Sequence, residues 1–162
     1  APFSEGGFHT PGGKVVVDAP GLGVPDFVPT YECAEATPEL AARYPLAMIS
    51  PPARHFLNSS FANLKSLRDI EREPVLEIHP HDAEARGIAD GDLVRVFNDR
   101  GTYHCRAVVG ERARPGVVNG LGIWWRKLGL NGTNVNELTS QRLTDLGRAP
   151  TFYDCLVEVA PA

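Results

Sequence analysis

The densest chemistry in the chain lies in Ser50 to Phe61, "SPPARHFLNSSF". Here Arg54, His55, Asn58, Ser59 and Ser60 crowd directly behind the apolar run Leu46-Ala47-Met48-Ile49. A guanidinium forks onto a phosphate, while serine hydroxyls and asparagine amides are neutral partners for phosphate or carbonyl oxygens. Pro51 and Pro52 stiffen the exit from the apolar run, so these groups are presented with little entropy left to lose. The same residues have a purely structural use, because Asn58 or Ser59 is a good N-cap for a helix beginning near Phe61. Taken alone, the stretch leaves both uses open. A second tract, "NGLGIWWRKLGLNGTNVNELTS", follows Trp124-Trp125 with a Gly/Asn-rich loop carrying Asn134, Asn136 and Thr139. Tandem tryptophans are more often core and rim packing than a stacking platform. A third tract is "APTFYD", Ala149 to Asp154, on the approach to the last strand. Three such loops on one small barrel can line one surface.

Other candidate chemistry reads as structure. Cys33, Cys105 and Cys155 are far apart, with no CxxC pair and no histidine at a metal spacing. Reduced, mostly buried thiols are expected, and His104 beside Cys105 points to the opposite face of a strand. The pairs Glu71/Glu73 and Asp90/Asp92 read as solvated surface, and His79 and His81 around Pro80 as surface or capping histidines. GxGxxG, Walker, HExxH and GxSxG signatures are absent from the sequence. No catalytic residue and no metal ligand is assigned.

The elements that must position these loops are short strands. Apolar alternation marks Leu46–Ile49, Val75–Ile78, Leu93–Phe97, Tyr103–Val109, Gly116–Asn119 and Cys155–Val159. "FNDRGT" is a tight hairpin, with Gly101 free to take positive φ. Short helices are expected over Asp82–Arg86, ended by Gly87, over Asn63–Glu71, and more weakly in "VNELTSQRLTDLG". Residues 1–45 read as an irregular lead-in with one strand candidate at Lys14–Val17, and residues 46–162 as a small β-barrel.

Bulk properties bound the function. A chain of 162 residues, 43% hydrophobic, buries one real core. Its net charge of −4 argues against nucleic acid and anionic membranes, which select basic surfaces. No apolar run reaches a membrane span, and the first residues lack a secretory layout. Because the chain starts at Ala1 it reads as an excised fragment. The cytoplasm is the expected compartment, with the periplasm as the alternative.

The order of these tracts resembles the C-terminal molybdopterin dinucleotide-binding domain of the dimethyl-sulfoxide-reductase superfamily of molybdenum and tungsten oxidoreductases. The matching run is "SPPARHFLNSSF", "VLEIHPHDAEARGIADGDLVRVFNDRG", "PGVVNGLGIWW", "NVNELTSQRLTDLG" and "TFYDCLVEV". "GGFHTPGGK" is similar to the segment preceding this domain, with Gly12 where a serine is common. The resemblance implies a mainly β fold, a six-stranded double-psi β-barrel with short helices in its crossover loops. It implies molybdopterin guanine dinucleotide, usually two copies holding one Mo or W atom, against Ser50, Pro51, Arg54, His55, Asn58, Ser59, Asn136, Phe152 and Tyr153. It further implies that the partners are other domains of the same polypeptide. The metal ligand and any iron–sulfur cluster would lie in those domains, and this domain alone would be inactive. The alternatives are a stand-alone double-psi subunit and a cofactor-free protein-binding module. The self-processing aspartate decarboxylase is set aside because the chain has no Gly-Ser dipeptide.

Overall fold

The structure, a computed structural model, describes residues 2–18, 21–24 and 26–162. Six strands form: β1 (Leu46–Ile49), β2 (Val75–Ile78), β3 (Leu93–Asn98), β4 (Gly101–Val109), β5 (Val117–Leu121) and β6 (Leu156–Pro161). Each matches an expected strand to within two residues at either end. Along β4 the side chains of Tyr103, Cys105 and Ala107 are buried while their neighbours are half-exposed, the period of two that a strand imposes. The strands close in the order β1-β5-β2-β4-β3-β6. Pairs β1/β5 and β2/β4 are parallel and the other four antiparallel, which is the double-psi barrel. Closure leaves no free edge to aggregate.

Leu46, Met48, Leu76, Ile78, Val94, Val96, Val118 and Val157 fill the barrel, and Val135 and Leu138 belong to the same core. Each such side chain contributes about 1.5–3 kcal/mol by leaving water.

The connections depart from expectation more than the strands do. Lys14–Val17 forms no strand, and Val17 remains 93% exposed. A helix not anticipated in the lead-in, α1 (Pro38–Arg43), docks through Arg43 and Tyr44, both bonded to Asp99 at the β3–β4 turn. Gly101 does close the β3–β4 hairpin, but its φ is not positive; a Cβ there would lie 3.0 Å from the Glu137 carbonyl oxygen. Close approach, not left-handed backbone, is what requires glycine.

Helix α2 (Lys65–Glu71) starts beyond Phe61, and its N-cap is Leu64 with no side-chain cap. Asn58 and Ser59 are therefore not its caps. Helix α3 (Pro80–Glu84) is capped by the His79 ring, which accepts from the His81 N–H, and Gly87 ends the segment at φ 64°. The third expected helix shrinks to one 3₁₀ turn, Val135–Glu137. Asn134 and Glu137 close that turn as a reciprocal capping box, and the Asn134 amide also donates to the Trp124 carbonyl. The acidic pairs are more than solvated surface: Glu71 binds His55, Glu73 binds Arg106, and Asp90 and Asp92 accept the Val109 and Ala89 N–H groups.

Candidate functional site

Strand directions bring the three polar tracts to one end of the barrel. β1 and β5 are parallel and both finish there, so Ser50 and Gly122 emerge side by side, with the Gly122 N–H donating to the Pro51 carbonyl at 2.9 Å. β6 runs antiparallel to β1 and therefore starts at that end, which delivers Phe152 and Tyr153. The Val135–Glu137 turn packs on β4 beside them. Strand direction thus makes neighbours of the loop after β1 and the β5–β6 connection, whose own two tracts are bonded together by the Leu143–Pro150 bridge.

A satellite core holds the first loop rigid. Ala53, Phe56, Ala62 and Trp124 are buried together, and the Phe56 and Trp124 rings meet edge to face with centroids 5.0 Å apart. Gly122 is pressed against this cluster at φ 77°, where a Cβ would stand 2.9 Å from that of Ala53. Trp125 donates its indole N–H to the Ser59 carbonyl at 2.7 Å. The tandem tryptophans therefore pack and position.

Between the loops lies an open cleft of about 590 Å³, the size of a small-molecule site. Ser50, Asn58, Asn136, Phe152 and Tyr153 line it, together with Pro52, Ile123, Thr139, Ser140, Gln141, Arg142, Leu143 and Pro150. Asn58 reaches the cleft from a two-residue turn in which Leu57 and Ser60 exchange both backbone hydrogen bonds. Its φ of 52° suits asparagine. The Phe152 and Tyr153 rings meet edge to face at 4.6 Å, both partly exposed.

The other expected residues stand outside the lining. Pro51 lends its carbonyl to Gly122, and Ser59 lends its own to Trp125. His55 is tied to Glu71, whose Oε1 lies 2.7 Å from both the ring Nδ1 and the backbone N. Arg54 is exposed beside them. Ser140, Gln141 and Arg142 escaped notice in the sequence; the polar tract "TSQR" was their only signal, and it was read as helix.

The lining is chemically one-sided. It offers hydroxyls, amides, an aromatic corner and one cation, Arg142, with no carboxylate. That donor set fits a pterin dinucleotide, whose ring nitrogens need neutral partners and whose diphosphate needs a positive charge. Among the described residues no group of three or more His, Cys, Asp or Glu side chains converges as a metal site.

Comparison with known proteins agrees with this reading. Residues 46–156 match the family described as "Molydopterin dinucleotide binding domain". The chain is 35% identical over 140 residues to dimethyl sulfoxide reductase DmsA of Escherichia coli, covering 84% of this chain and 17% of that protein. It is 36% identical over 103 residues to the pyrogallol hydroxytransferase large subunit of Pelobacter acidigallici, covering 57% of this chain and 12% of that one. The solved acetylene hydratase of Pelobacter acetylenicus superposes with a TM-score of 0.82 at 22% identity, covering 97% of this chain and 24% of that structure. The chain spans between 14% and 23% of the length of the first relatives it matches. From the matched segment, the barrel topology and the chemistry of the cleft, the chain belongs to the molybdopterin dinucleotide-binding domains of the dimethyl sulfoxide reductase family.

Proposed function

We propose that this chain is the C-terminal domain of a larger molybdenum or tungsten oxidoreductase, and that its cleft forms one wall of the site for molybdopterin guanine dinucleotide. The observation that carries this is the convergence, on one cleft at a single barrel end, of the polar loop after β1 and the long polar connection between β5 and β6. Ser50, Asn58 and Asn136 would supply neutral hydrogen bonds, and Phe152 and Tyr153 an aromatic edge for a ring. Pro51, Arg54, His55 and Ser59 would form the frame and outer rim of the same loop. When bound, the cofactor supplies the redox chemistry of its metal; this chain binds, orients and excludes water. Its partners are then the cofactor and the remaining domains of its own polypeptide. Nucleic acid is not expected at a net charge of −4.

The test is cofactor content. The full-length protein, purified from a host that makes the cofactor, should release both GMP and an oxidisable pterin. Asn136→Ala should lower that content about fivefold, the worth of one neutral hydrogen bond. Absence of pterin from the full-length protein, or full retention in the variant, would contradict the proposal.

A further inference from the structure

Among the described residues, Arg142 is the only charged side chain lining the cleft. It makes no ion pair with any carboxylate among the described residues. Its backbone is nevertheless pinned on both sides. The Arg142 N–H donates to Ser140 Oγ at 3.1 Å, and its carbonyl accepts from the Thr151 N–H and Oγ1 at 3.2 and 3.0 Å. The guanidinium lies over the ring of Tyr31, 4.4 Å from the centroid. Tyr31 comes from the lead-in, and the next residue, Glu32, fastens that segment to the barrel by accepting from Arg100 and from the Leu156 N–H. A cation on an aromatic face loses rotamer freedom while keeping its forked donors, which a second charge would have occupied.

We infer that Arg142 is the counter-charge for the diphosphate of the cofactor and that Tyr31 is its positioning residue, which makes the lead-in a working part of the site. This rests on the reading of the cleft as the cofactor site. The chemistry favours the diphosphate: it is the group of that ligand that needs a permanent cation, and a planar fork matches two of its oxygens. Ring nitrogens and carbonyls are served by the neutral groups already lining the cleft.

The experiment measures GMP and oxidised pterin per mole of purified full-length protein, after gel filtration at low and at high salt, for Arg142→Ala, Arg142→Lys, Tyr31→Leu, Tyr31→Phe and Gln141→Trp. Thermal unfolding of each is followed in parallel. Arg142→Ala should retain about tenfold less cofactor and lose most of the salt dependence of retention. Arg142→Lys should fall between it and the parent, because a charge remains but the fork does not. Tyr31→Leu should fall in the same direction while Tyr31→Phe, which keeps the aromatic face, should not. Gln141→Trp narrows the cleft while leaving the Arg142 charge in place. If it strips cofactor while Arg142→Ala retains it, Arg142 is not the counter-charge although the cleft is the site. If neither variant loses cofactor, the reading of the cleft fails and this inference with it. If Arg142→Ala loses cofactor but Tyr31→Leu does not, the role of Tyr31 is overturned.

Discussion

Asn58 meets two demands at one position: its side chain faces the cleft and its backbone sits in the left-handed region. Asn58→Ala should therefore lower stability by about 1 kcal/mol through backbone strain alone, whereas Asn58→Gly should be near neutral by urea unfolding. The glycine variant is accordingly the cleaner probe of ligand contact. Cys155 yields a pH-dependent counterpart. Its thiol donates to the Leu138 carbonyl, and burial raises its pKa from 9.0 to about 11, against a partly opposing influence of Arg100. An unfolded thiol loses its proton near 9 while the folded one keeps it, so stability is complete below that pH and declines as pH rises toward 11. The decline should be smaller in Cys155→Ala, measured by urea midpoints from pH 8 to 11. Five of the nine residues that the resemblance implied line the cleft; Ser50 and Asn58 were also visible as polar groups in a loop behind an apolar strand, whereas Asn136, Phe152 and Tyr153 rested on the resemblance. Arg54, His55 and Ser59 share that loop but not the lining. Their orientation depends on Phe56 and Ala53 turning inward beneath Trp124, a tertiary fact that local composition does not carry.

Element by element, the six barrel strands, the β3–β4 hairpin and helices α2 and α3 were legible, whereas α1 and the segment after Asn134 were not. A barrel strand must hide alternate residues, so Leu46, Met48, Val94 and Val96 announce their faces. The segment after Asn134 has an apolar spacing compatible with helix, yet only one 3₁₀ turn forms, opened by the Asn134–Glu137 capping box and followed at once by Thr139, whose hydroxyl donates to the Asn136 carbonyl. Helix α1 lacked a signal because none of its residues is buried and no side chain caps it. It is held instead by Asp99, whose pKa is lowered by hydrogen bonds from Arg43 and Tyr44. Glu32 is the stronger tie, since its side chain is only 9% exposed and accepts from Arg100 and the Leu156 N–H. Glu32→Ala leaves the Leu156 N–H unpaired and Arg100 with only its bonds to the Leu138 carbonyl and Cys155, and should cost about 1–3 kcal/mol. Amide exchange should then quicken at Leu156 and in residues 31–37, while the β2–β5 pairing stays protected.

As a whole, the molecule divides its barrel between two tasks. One end carries α3 and the loops around Gly91 and Gly116, where the Asp82 carboxylate accepts the Gly116 N–H at 2.7 Å and the connections are short. The other end carries the two long connections, β1–β2 and β5–β6, with the satellite core and the cleft. Relatives named for sulfoxide reduction and hydroxyl transfer share this domain, and a structure named for acetylene hydration shares its fold, so the fold by itself does not set the reaction. The most direct measurement of the central claim is amide hydrogen exchange on the full-length protein, made once in a host that synthesises the cofactor and once in a host that cannot. Within these 162 residues, binding at the cleft predicts protection concentrated in residues 50–61, 122–125 and 136–153 and around Tyr31, with residues 80–92 and 110–116 unchanged. Protection spread evenly over the chain, or found only at the α3 end, would contradict it.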